Sequence, residues 1–92
     1  MPRPLCPRKI SHTPPATYFK PAGIPLRDLQ EIVLAADELE SLRLADCKEL
    51  YHVDAAKQMG ISRQTFDRII RRAHCKVASA LVQGLALRIE KP

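Results

Sequence analysis

Gly60-Ile61-Ser62 is the tightest constraint in this chain, because a helical apolar stripe runs up to it and another runs away from it. Ala55, Ala56 and Met59 share one face of a helix expected over about Val53 to Met59. Gly60 ends that helix, since glycine takes positive φ without steric cost. Ile61 plugs the turn, and Ser62 offers a hydroxyl as N-cap for the next helix. That helix is expected from about Arg63 to Val82. Phe66, Ile69, Ile70, Ala73, Val77, Ala80 and Leu81 recur at steps of three and four and fill an arc of roughly 120°. Gln64, Asp67, Arg68, Arg71, Arg72 and Lys76 fill the opposite arc. Two helices joined this tightly must cross steeply and pack closely. Ala56 is small enough for that approach, while Phe66 and Ile69 supply the bulk inside.

The flanking segments are less regular. Seven of the eight prolines fall within residues 1–25, so no long helix forms there. That stretch reads as an arm with basic residues at Arg3, Arg8, Lys9 and Lys20. Arg8-Lys9-Ile10 and Thr17-Tyr18-Phe19 are its candidates for short extended pieces. Pro25 suits the start of a short helix over Leu26 to Gln30. Ile32-Val33-Leu34 is too short for its periodicity to decide. A helix from about Ala36 to Asp46 carries Leu39, Leu42 and Ala45 on one face. Asp37, Glu38 and Glu40 crowd its first turns, where negative charge is favoured, although Ala35 or Ala36 makes a poor N-cap. Gly84 ends the long helix, and Leu85 to Ile89 reads as an extended tail whose suggested pairing partner is Arg8-Lys9-Ile10, within one chain or across a dimer.

Charge is partitioned along the chain. Residues 1–27 carry five basic groups and no acidic one, residues 28–54 have a net charge of −6, and residues 55–92 one of +6. A polyanion would meet the two ends and avoid the middle. No apolar run approaches the roughly 20 residues that span a bilayer, and the N-terminus lacks the apolar stretch of a signal peptide, so a cytoplasmic protein is expected. Cys6, Cys47 and Cys75 are far apart, form no C-x-x-C pair and are odd in number, which argues against a disulfide scaffold or a zinc knuckle. No cofactor is expected. No phosphate loop, activated nucleophile or carboxylate pair stands in a recognisable setting, so the chain does not read as an enzyme.

The pair of helices around Gly60 has the form of a helix-turn-helix, about Val53 to Lys76. In such a unit the second helix enters the major groove of double-stranded DNA and its N-terminal residues reach base edges, while the first helix crosses the backbone. Ser62, Arg63, Gln64 and Thr65 occupy that N-terminus. Gln64 suits adenine and an arginine suits guanine, each in bidentate fashion. Arg68, Arg71, Arg72 and Lys76 lie further along and suit phosphates, with base contact also open to Arg68. Asp67 either reads a cytosine amino group or holds Arg63 and Arg71 in place. A basic face that is merely solvated is the plain alternative; the turn chemistry beside it favours DNA.

Residues 36–82 resemble the helix-turn-helix of bacterial sigma-factor region four. The resemblance rests on the acidic-leucine run Asp37-Glu38-Leu39-Glu40-Ser41-Leu42-Arg43-Leu44, the turn from Ala55 to Ser62, and Arg71-Arg72-Ala73. Over its full length the chain is similar to a family of small, uncharacterised prokaryotic proteins described as predicted DNA-binding. Met1-Pro2-Arg3-Pro4, Tyr18-Phe19-Lys20-Pro21-Ala22-Gly23-Ile24-Pro25-Leu26, Leu44-Ala45-Asp46, Ser62-Arg63-Gln64-Thr65-Phe66 and residues 78–87 carry that similarity. It implies a fold and DNA binding, without a target. Two positions depart from the pattern. The first helix lacks a Ser or Thr cap, and Asp67 stands where a small or neutral residue is commoner.

The expectation is therefore an all-α, winged-helix-like core of three or four helices over residues 26–92, with residues 1–25 as an extended basic arm and a short extended C-terminal tail. The expected function is sequence-specific DNA binding and transcription regulation, with a homodimer reading two half-sites. Two other functions compete. A metal- or redox-responsive regulator would draw on Cys6, Cys47, Cys75, His12, His52 and His74. A protein-interaction module would use the acidic segment 28–54 to meet RNA polymerase or another subunit.

Overall fold

A computed structural model describes residues 9–10 and 13–91. The elements are β1 (Tyr18–Phe19), a 3-10 turn (Leu26–Asp28), β2 (Glu31–Leu34), α1 (Ala36–Leu42) running into a π-helical turn (Arg43–Cys47), α2 (His52–Met59), α3 (Arg63–Gln83) and β3 (Ala86–Ile89).

The expected all-α class does not hold. The three strands form one mixed sheet in the order β1-β3-β2, so the fold is mixed α/β. The tail is the central strand. It runs antiparallel to β1, with Phe19 opposite Leu87, and parallel to β2, with Glu31 opposite Ala86 and Leu34 opposite Ile89. A parallel pair needs a long crossover, and here all three helices lie within it. Tyr18, Glu31 and Arg88 tie the strands together: Tyr18 Oη donates to Glu31 Oε2 at 2.8 Å and Arg88 Nε to Glu31 Oε1 at 3.2 Å. The tail's suggested partner lies elsewhere. The Lys9 amide donates to the Met59 carbonyl at 3.0 Å, satisfying an orphan acceptor at the end of α2. Arg8, like Arg3, Cys6 and His12, lies outside the described residues.

The helices follow the sequence more closely. Gly60 takes φ +70° as the C-cap of α2, and Gly84 takes φ +70° as that of α3. The Ser62 hydroxyl accepts the Thr65 amide proton at 3.1 Å, the cap expected of it. α1 begins without a capping hydroxyl, and Glu38 makes up part of the loss: its Oε1 accepts the Ala35 amide proton at 2.9 Å, which is half of a capping box.

Two apolar clusters meet across Leu42. One joins Leu44, Ala55, Ala56, Met59, Phe66 and Ile70 and fixes the helix-turn-helix angle. The other joins Leu34, Ala73 and Ile89 and fastens α3 to the sheet. Ile69 and Ala80 are also buried, but Leu81, counted above in the inward stripe, is 77% exposed at the far end of α3.

Candidate nucleic-acid interface

α3 turns Phe66, Ile69, Ile70 and Ala73 inward, which leaves Gln64, Arg68 and Arg71 exposed on the outer face of its first three turns. Gln64 and Arg71 have no side-chain partner among the described residues. Among the described residues Arg68 reaches only Thr65 Oγ1, at 3.5 Å, the limit of a hydrogen bond. Lys57, on the exposed side of α2, is also unpartnered among the described residues. These groups therefore have donors to spare for an outside acceptor.

Other residues expected at a DNA contact are engaged within the fold. Ser62 and Thr65 are committed to the helix start, with the Ser62 hydroxyl also donating to Thr65 Oγ1 at 3.0 Å. Arg63 Nη1 donates to Asp67 Oδ2 at 3.2 Å, an i,i+4 pair on α3. The second Asp67 oxygen, Oδ1, lies 2.7 Å from His52 Nδ1 at the start of α2. The His52 ring in turn packs edge-on against Phe66, with centroids 5.1 Å apart and planes at 60°. No signal in the sequence links His52 with Asp67, since only the helix-turn-helix angle brings them together.

Arg72 and Lys76 turn the other way, toward α1. Lys76 Nζ donates to Glu38 Oε1 at 2.7 Å and to the Val33 carbonyl at 2.8 Å, and Arg72 Nε donates to Glu38 Oε2 at 3.2 Å. Glu38 is only 2% exposed. Burial alone would push its carboxyl up, but donation from Lys76, the Ala35 amide and Arg72, with the Lys76 charge, holds it below the ordinary carboxylate value. Lys76 thus ties α3 to both β2 and α1. Arg72 ties α3 to α1 only, through Nε, and its side chain remains 54% exposed.

The residues considered as metal ligands are scattered. Cys47 and Cys75 are exposed free thiols, and His74 Nε2 pairs with Asp46 Oδ2 at 2.7 Å. Among the described residues no three His, Cys, Asp or Glu side chains gather closely enough to hold a metal ion. No helix among them is long and apolar enough to cross a membrane.

Comparison with known proteins gives a family. A UPF0251 protein of Moorella thermoacetica is 53% identical over 90 residues, covering 98% of this chain and 60% of the relative's own length. This chain thus spans less than two thirds of that protein. A UPF0251 protein of Vibrio vulnificus is 56% identical over 87 residues, covering 95% of this chain and 87% of its own. One of Methanosarcina acetivorans is 49% identical over 88 residues, covering 96% and 79%. No solved structure matches the chain. The match to the family described as "Protein of unknown function DUF134" runs over residues 1–91, and the chain belongs to that family, which extends across many prokaryotes.

Proposed function

We propose that this protein binds double-stranded DNA through the first half of α3 and regulates transcription by doing so. One observation carries the reading: Gln64, Arg68 and Arg71 form a solvent-facing row at the start of a helix whose inner face is locked by a tight Gly60 turn. A major groove accepts such a helix, and that row offers it an amide for adenine and guanidinium groups for guanine or phosphate. Lys57, exposed on α2, offers a cation to the phosphate backbone that the first helix of such a unit would cross. The terminal nitrogens of Arg72 could serve a phosphate, whereas Lys76 supports the helix from inside. Two half-sites would give the short recognition helix enough contact, so a homodimer belongs to the same reading.

The test is binding of the purified protein to labelled genomic fragments across a salt series. Sequence-specific regulation predicts that a few fragments survive salt that strips the rest, and that their shared sites repeat at about 10 base pairs, one helical turn. If no fragment is retained even at low salt, the reading fails.

A further inference from the structure

We propose that Asp67, braced by His52, is a positioning residue that aims Arg63 at a base and lowers affinity for DNA in general while sharpening the choice of sequence. The inference rests on the reading of α3 as the helix that enters the groove.

Its geometry runs outward from the core. Phe66 is fully buried and carries the His52 ring edge-on. His52 holds one Asp67 oxygen at 2.7 Å, and the other oxygen accepts from Arg63 Nη1 at 3.2 Å. A free arginine at a helix start samples many rotamers and would follow whichever phosphate or base is nearest. Here two elements fix the carboxylate that holds it. Arg63 still has its Nε and Nη2 uncommitted among the described residues, and that edge is the planar fork that matches guanine O6 and N7. His52, Arg63 and Asp67 line a shallow groove of about 430 Å³ together with Arg71 and His74.

The charge sign separates this role from that of a simple surface pair. A carboxylate on a DNA-facing helix repels phosphates, so it weakens contact with every sequence alike. Helix stability does not require it, because an exposed i,i+4 pair contributes only a few tenths of a kcal/mol. Aiming of Arg63 would give Asp67 a use at that site despite the repulsion. Both Asp67 oxygens also have partners already, which disfavours Asp67 as the direct reader of a cytosine amino group.

The experiment is selection of bound sites from a random duplex library by the wild type, Asp67→Ala, Arg63→Ala, the double variant and His52→Phe, with affinity for unselected duplex measured alongside. His52→Phe keeps a ring on Phe66 and removes the hydrogen bond to Asp67. Thermal melting checks that each variant is folded. Asp67→Ala is expected to bind unselected duplex about three- to tenfold more tightly. It should also lose about tenfold discrimination at the base pairs that Arg63→Ala flattens. The double variant should discriminate no worse than Arg63→Ala, and His52→Phe should show a smaller loss at the same positions. If Asp67→Ala enriches the wild-type motif with undiminished sharpness, the positioning role is overturned while DNA reading stands. If the wild type enriches no motif, the functional reading fails and this inference with it. Should Asp67→Ala melt below the assay temperature, His52→Phe decides by the same comparison.

Discussion

Glu38 keeps a negative charge at 2% exposure because donors reach it from its own helix start and from two turns of α3. Such a carboxylate is costly to leave unpaired, so its donors are expected to be unequal in importance. Lys76 serves both Glu38 and the Val33 carbonyl, whereas Arg72 gives a single longer bond from a half-exposed side chain. Lys76→Met should therefore cost about 2–3 kcal/mol in urea denaturation. Arg72→Ala should cost under about 1 kcal/mol, because solvent screens its contribution. The pH dependence follows from the depressed carboxyl of Glu38. Unfolded, the group titrates at the ordinary carboxylate value; folded, it holds its charge to lower pH. Its contribution is thus fully present above the unfolded value and is lost as pH falls through the folded one. Urea melts across that acid range should show the loss in the wild type and a flatter course in Glu38→Gln.

Among the elements, the turn between α2 and α3 depends on one backbone conformation. Gly60 has φ +70°, and among the described residues a Cβ placed there would meet nothing nearer than Lys9 Cγ at 4.0 Å. Space is available, so the cost of Gly60→Ala is one of conformation and should reach about 1–2 kcal/mol. Gly60→Asn should lose less, since asparagine visits that region more readily. Equal losses in thermal melting would point to packing instead. The same local chemistry made this part legible in the sequence: Gly60, Ser62 and the stripes on either side act over a few residues. The sheet left a weaker trace: Thr17-Tyr18-Phe19 and Leu85 to Ile89 read as extended, and the strands Tyr18–Phe19 and Ala86–Ile89 lie there, but which strands pair was not legible. Glu31–Leu34 shows no clean alternation, and it pairs with residues 86–89, far along the chain. Such pairing is set by tertiary packing against Ala73 and its neighbours, and residue preference alone cannot locate it. The start of α1 falls at Ala36 as expected, but its capping was not legible, because Glu38 from inside the helix replaces a capping hydroxyl.

At the scale of the whole molecule, the charge partition along the chain becomes a partition across α3. The acidic middle segment folds against the helix and takes up its cations selectively. Glu38 engages Arg72 and Lys76, while Arg68 and Arg71 stay outward. Helical periodicity put all four cations, Arg68, Arg71, Arg72 and Lys76, on one face. It could not reveal which of them the fold would consume, because Glu38 is 34 residues from Arg72 and 38 from Lys76. If the outer row meets DNA, this division has a measurable consequence. Each cation that neutralises a phosphate contributes about 0.9 to the slope of log affinity against log salt. Arg71→Ala and Arg68→Ala should each lower the slope by up to about one unit, the full amount where the residue meets a phosphate. Lys76→Met, compared at a temperature where it is folded, should leave the slope unchanged although it removes the same formal charge. A loss of one unit from Lys76→Met would mean that its ammonium leaves Glu38 for the DNA, and that the buried carboxylate is exposed or protonated on binding.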